Sequence, residues 1–219
     1  MTAAERGIWL DDAASRDDLS TFAERTLRLD DAAVVRLRQR PDGNIVAWVG
    51  TGFDVLASRV VGGTVRPADL CVGADSLVGA LSAMAVSGFV EPGFAMDSAW
   101  RGVLPPESGF VHLDDVPARA VLDLAERGAA LAKEHSSAHG PPASLLDQEV
   151  LAVSSGSTEV GIPMRCVFAL TAMGFLPPSG SEVGAEEIVR VRVHPAWLRV
   201  DARFGTVYRR IGDPAMVLR

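Results

Sequence analysis

Apolar residues recur along this chain with two periods, and the places where the period changes mark its elements. Leu19, Phe22, Ala23 and Leu27 share one stripe of a helix expected over Arg16 to Leu29, with Ser15 and Asp18 spaced as a capping box. Val35, Leu37 and Gln39 then alternate with Arg36, Arg38 and Arg40, the period of a half-exposed strand. Pro41 to Asn44 has turn chemistry, and Ile45 to Val49 and Phe53 to Val61 continue the meander on either side of Gly50, Thr51 and Gly52. Three antiparallel strands with one arginine-studded face are expected. Gly62 and Gly63 are expected to open a loop to Asp69. Asp75 reads as the cap of a small-residue helix over Ser76 to Val86, with Leu77, Val78, Leu81 and Met84 at helical spacing. A short turn over Met96 to Arg101 would anchor Trp100.

Leu104 to Gly109 carries two prolines and a glycine, so a lobe boundary is expected there. One compact domain with two lobes, residues 1–105 and 106–219, is the organisation that this implies. Phe110 to Leu113 reads as a short strand. Asp115 as cap and Pro117 in the first turn open a helix over Ala118 to Glu134 with Val121, Leu124, Ala125, Gly128 and Leu131 inward. The run from 138 to 143 breaks it, and Ser144 with Asp147 begins a short helical element that turns extended towards Val153.

Gly161 to Pro178 is apolar almost all the way round, which a surface helix is not. Pro163 suits its first position and Gly174 the left-handed residue after its end, with Phe175 folding back on the last turn. Ile188 to Val193, Trp197 to Val200 and Thr206 to Ile211 finish the chain as strands. The fold class expected is therefore α+β, antiparallel meanders packed with four to five helices. Helix, short helix, helix and strand pair over residues 117–211, with Ala169 to Leu176 closing the third helix, resembles a winged-helix domain. That resemblance implies DNA binding, but the third helix offers only Arg165 and Thr171 to base edges, so a protein-binding or dimer element is expected instead. Ala47-Trp48-Val49 leading to Arg59-Val60-Val61-Gly62 is echoed by Ala196-Trp197-Leu198 leading to Arg210-Ile211-Gly212.

Composition narrows the chemistry. The chain has 219 residues and a formal charge of −7, but the charge is uneven: residues 1–109 carry 10 basic and 15 acidic groups, 110–189 carry 4 and 11, and 190–219 carry 7 and 2. Its C-terminal strands are basic on an acidic body, a pattern suited to an acidic partner and unsuited to a polyanion lying across the whole surface. Lys133 is the one lysine, and Ala132 before it excludes a Walker phosphate loop. Cys71 and Cys166 sit in apolar runs and read as core thiols of a reducing compartment. No basic-then-apolar leader opens the sequence, and no uncharged stretch reaches the ~20 residues of a membrane span, so a cytoplasmic location is expected.

Candidate chemistry is sparse. Gly50 and Gly52 lack the third glycine of a dinucleotide fingerprint, since Val55 stands there. His135 and His139 have ligand spacing, but Gly140, Pro141 and Pro142 end the helix at that point. His112 beside Asp114 and Asp115 could serve acid/base work and Cys166 could serve as a nucleophile, which a small hydrolase or transferase would need. No catalytic residue, cofactor or metal is assigned. Arg190, Arg192, His194, Arg199, Arg203, Arg209 and Arg210 form the candidate interaction face. The expected function is non-enzymatic, acting through a protein partner or homo-oligomer, with a nucleic-acid-binding regulator as the alternative.

Overall fold

The computed structural model describes residues 6–83, 88–135, 141–156, 158–178, 183–184 and 186–211. It divides into two compact units, residues 1–52 with 56–103, and residues 53–55 with 104–219. Each is an α+β arrangement of antiparallel strands with helices against one face of its sheet.

Unit 1 opens with a strand that the hydrophobic pattern does not reveal, β1 (Gly7–Leu10), only four residues long. Helix α1 (Ala13–Leu29) follows. Its cap is Asp12, whose carboxylate accepts the Ser15 N–H at 2.7 Å, rather than Ser15. The meander is β2 (Val34–Gln39), β3 (Asn44–Gly50) and β4 (Leu56–Arg66), and β5 (Asp69–Gly73) pairs with the outer edge of β2. β4 does not stop at Gly62 and Gly63. It bends there, leaving β3 and pairing its second half with β1, which in turn pairs with β6 (Phe89–Val90). Glycine is required at the pivot because a Cβ on Gly63, at φ 149°, would collide with the Trp9 carbonyl oxygen. Helix α2 (Ala74–Ser82) starts after Gly73 without a side-chain cap. The predicted Met84 and Val86 lie outside the described residues. Leu19, Phe22 and Ala23 of α1 and Leu77 and Leu81 of α2 are buried, as are the inward Val35, Leu37, Ile45 and Ala47 of the sheet. A 3-10 turn at Asp97–Ala99 precedes Trp100, whose indole N–H donates to the Gly102 carbonyl.

Unit 2 has a four-stranded sheet in the order β7 (Val111–Pro117), β10 (Ile188–His194), β11 (Trp197–Ala202), β12 (Gly205–Arg210). Asp115 belongs to β7 and does not cap a helix. Helix α3 (Ala118–His135) buries Val121, Leu122, Ala125 and Ala132, while Leu131, expected inward, is exposed. Gly128 is a contact point of α3, where an added Cβ would press on Met164 and Phe168. After α4 (Ala143–Leu146) come two strands, the first matching the extended end expected towards Val153 and the second lying where a loop and the start of a helix are expected. They are β8 (Glu149–Ser155) and β9 (Thr158–Pro163), paired as a hairpin. Their weak alternation of buried and exposed positions hides the second strand and the extent of the first. The hairpin interrupts the winged-helix order, since β9 runs directly into α5 (Met164–Ala172). Gly161 is thus a strand residue, and Pro163 is the cap of α5 rather than its first residue.

The C-terminal end of α5 follows its expected chemistry. Gly174 takes φ 66° and donates to the Thr171 carbonyl at 3.0 Å, while Phe175 donates to the Leu170 carbonyl at 2.9 Å. Those two bonds make a Schellman cap, with the Phe175 ring buried beyond it. Around the helix, Met164, Cys166, Val167, Ala169 and Leu170 are buried, and so is one cation, Arg165. Its guanidinium donates to the Phe53 carbonyl at 2.7 Å and to the Asp147 carboxylate, with Asp54 at 3.7 Å. Phe53 also meets the Phe168 ring at 5.9 Å between centroids.

Arg165→Met keeps the aliphatic stem and removes the charged donors. Because a hydrogen bond from a charged group is worth ~1.5–3 kcal/mol, this variant is expected to lose about 2 kcal/mol in urea unfolding, read as a lower midpoint at constant slope.

Candidate functional site

The basic strands place their side chains in three rows across the face of unit 2 turned away from its helices. The period of two along each strand decides membership. Register puts Asp115, Arg190, Asp201 and Thr206 in the first row and His112, Arg192, Arg199 and Tyr208 in the second. His194, Trp197 and Arg210 make the third. The opposite face of the same strands holds Val189, Val191, Leu198, Val200 and Val207, all buried.

Two of the seven predicted residues leave this face. Arg209 is paired in register with Leu198, so it points towards the helices and approaches Asp147 at 3.8 Å. Arg203 lies in the turn between β11 and β12, where it meets Glu187 at 3.2 Å and its own neighbour Phe204 at 5.3 Å. Adjacent residues on a strand cannot share a face, so Arg209 and Arg210 are separated by elementary geometry.

Asp201 organises the remaining charges. Its carboxylate accepts from Arg192, from Arg199 Nε at 2.8 Å and from the Thr206 hydroxyl at 2.7 Å. The Arg199 guanidinium lies 5.6 Å from both the Phe110 and Tyr208 ring centroids. Phe110 in turn stands 5.5 Å from the His194 ring. His194 Nδ1 accepts the Ala196 N–H at 3.3 Å, which leaves the proton of the neutral ring on Nε2. Arg190 is the outlying member, with half of its side chain exposed and Asp115 at 3.7 Å. Four arginines on the face (Arg190, Arg192, Arg199, Arg210) stand against two aspartates (Asp115, Asp201), so positive charge is in excess. Phe110, Asp201 and Tyr208 were not singled out by sequence reasoning. Residues 197, 199 and 201, and 206, 208 and 210, share parity, and that signal would have found the last two.

Unit 1 builds a comparable outer face around a single aspartate. Asp69 takes both arms of Arg36 at 2.7 and 2.8 Å and Arg38 at 3.2 Å. Arg36 also lies 5.7 Å from the Trp100 ring. The echoed segments noted in the sequence fall on β3 and β4 of unit 1 and reach β11 and the end of β12 in unit 2, Gly212 lying outside the described residues, with Trp48 and Trp197 each buried on the outer face.

The residues considered for catalysis are not brought together. Cys166 is fully buried on α5, and burial pushes its thiol up to about 12. The Cys71 thiol is likewise pushed up by burial, to about 11. His112 is exposed on β7 and bonds Asp115 at 2.9 Å. A groove of about 410 Å³ is lined by Leu131, Pro142, Ser144, Leu145 and Gln148 and contains neither His112 nor Cys166. Among the described residues no group of three potential ligands could hold a metal ion, and no helix is long and apolar enough to cross a membrane. His139 and the side chain of His135 lie outside the described residues.

Residues 3–102 match the family described as Domain of unknown function (DUF8010), and residues 105–214 match Domain of unknown function (DUF8185). The second match spans half of the chain, which therefore belongs to the DUF8185 family. No curated protein matches the sequence. Among solved structures, the chain is similar to the DNA polymerase sliding clamp from Bacillus subtilis, with a TM-score of 0.61 at 11% identity over 96% of this chain and 65% of that one. A putative DNA polymerase III beta subunit from Eubacterium rectale gives 0.58 at 9%, over 96% and 65%. The beta subunit from Thermotoga maritima gives 0.53 at 12%, over 97% and 68%. Such identities establish a shared fold, that of the sliding clamps, and the chain spans about 65% of the length of the first two proteins.

The thiols give a direct check. At pH 8 the native protein is expected to leave Cys71 and Cys166 unmodified by a thiol-specific reagent, whereas both react in denaturant. Since unfolded thiols ionise near 9.0 and the native ones only near 11 and 12, the native state holds more protons above pH 9, and stability should fall with rising pH there.

Proposed function

We propose that this protein is a non-enzymatic interaction module of sliding-clamp fold, and that the outer sheet face of unit 2 receives an acidic segment of a protein partner. The single observation that carries the reading is the excess of guanidinium groups on that face, held in three regular rows by strand pairing. Asp201 fixes the central pair, Arg192 and Arg199, so their donors are already in place when a partner arrives. Arg190 and Arg210, exposed at the margin, add charge that favours encounter. The half-exposed Phe110 ring would favour aromatic residues within the same segment.

A nucleic-acid reading is supported by a different observation, the fold shared with DNA polymerase sliding clamps. The charge on the longer helices speaks against it. In α1, Arg16, Arg25 and Arg28 are balanced by Asp17, Asp18 and Glu24, and in α3 Arg119, Arg127 and Lys133 by Asp123, Glu126 and Glu134. A phosphate backbone would find no excess of positive charge on either.

Both readings meet in one titration. A peptide alternating Glu and Asp with aromatic residues, and a short DNA duplex, are each titrated into the full chain at several salt concentrations. The peptide is expected to bind, and Arg190→Glu with Arg210→Glu to weaken it about tenfold or more. Tighter binding of the duplex, with log K falling on log salt at a slope of about −4 for four phosphate contacts, would transfer the assignment to nucleic acid.

A further inference from the structure

We propose that the acidic segment received by the basic face is carried by a second copy of this chain, in the loop from Glu91 to Asp97 with Phe94 at its tip. The inference rests on the reading above that Arg190, Arg192, Arg199 and Arg210 form an interaction face.

Phe94 is 90% exposed, more than any other large hydrophobic residue among those described. Its loop is nevertheless tied down at both ends. The Arg6 guanidinium donates to the Gly93 carbonyl and, at 3.0 Å, to the Cys71 carbonyl. Met96 N–H donates to that same Cys71 carbonyl at 2.9 Å, and Asp97 accepts the Cys71 N–H at 3.1 Å. Pro92 is buried, and Gly93 takes φ 71°, so the backbone turns outward just before the ring. An exposed ring on a fixed loop loses little freedom on docking, which is how aromatic anchors of interfaces behave.

The loop also has the charge that the face lacks. Glu91 and Asp97 are exposed on either side of Phe94, and with the Arg6 guanidinium bonded to the backbone at Gly93 the loop keeps a net negative charge. Two negative charges around one ring complement an excess of arginine around the half-exposed Phe110 and His194 rings. Loop and face are different patches, so the contact is heterologous, each copy offering its loop to the next. One buried Phe contributes about 150–250 Å², far below the ~1,200 Å² of a stable interface, so this association is weak and reversible.

Sedimentation velocity of the full chain, run from micromolar to millimolar concentration at low and high salt, tests this. The wild type is expected to rise in weight-average mass above its 23.1 kDa monomer as concentration increases, and to return to monomer in high salt. Phe94→Ala with Glu91→Gln, and separately Arg190→Glu with Arg210→Glu, should each remain monomeric while keeping the wild-type circular dichroism. An equimolar mixture of the two variants retains one intact loop and one intact face, so it should form a dimer and nothing larger. A wild type that stays monomeric at every concentration overturns the inference, as does a loop variant that associates like wild type or a mixture that does not associate. If the monomeric wild type still binds the acidic peptide in an Arg190-dependent way, the proposed function survives; if peptide binding fails too, both fall.

Discussion

Unit 2 depends on keeping one cation out of water. Arg165 stands on α5 among Met164, Cys166 and Val167, where an unpaired guanidinium would carry a large desolvation cost. Three groups lower that cost: the Phe53 carbonyl, the Asp147 carboxylate just after α4, and Asp54 at the rim. They lie on two stretches of chain, Phe53 with Asp54 and Asp147, so pairing this one side chain fixes two backbone segments relative to α5. The helix then has little freedom left, because β9 enters it directly and the Schellman bonds at Gly174 close it. An apolar side chain here would leave the Phe53 carbonyl and the Asp147 carboxylate without their donor, which is the costly way to break such a set. What Arg165 supplies is a defined arrangement.

Asp201 plays the corresponding part on the other face of the sheet. Two arginines across from each other in register would repel, and placing a carboxylate within reach of both turns that repulsion into a network. The outer face of unit 1 uses the same device with Asp69 between Arg36 and Arg38. The two faces differ in extent: Asp69 alone lies between the two arginines of unit 1, whereas Arg190 and Arg210 extend the charge of unit 2 to its margin.

The shared fold with sliding clamps constrains architecture without carrying function along with it, because sites are built on folds from particular side chains. Here the thiols are buried and the histidine on β7 is bound to its neighbour. On the outer face of unit 2 the surface groups are ionic and aromatic, and the proposed interaction rests on them.

The sequence determined a good deal by local rules. Its alternating Val and Arg positions specified β2, β10 and the outward side of each, and the three C-terminal strands have nearly their expected bounds. Gly174 and Phe175 specified the end of α5 because the cap is made by neighbours in sequence. Other features were decided only by tertiary contacts. β1 is too short to show a period and exists because β4 bends at Gly63 to pair with it. Of the hairpin, β8 was legible only as an extended end near Val153 and β9 was hidden, because both strands are mostly exposed and show little alternation. Arg165 looked like a surface cation on a candidate recognition helix until Phe53, more than a hundred residues away, supplied its carbonyl. The basic face was legible as a run of arginines, but its membership was not. Arg209 and Arg210 differ by one residue and point to opposite sides, and only strand pairing says which of them meets Asp147 and which faces outward. Patterns within a few residues can be read from a chain because the backbone imposes them; partners distant in sequence cannot, because folding alone brings them within a hydrogen bond's length.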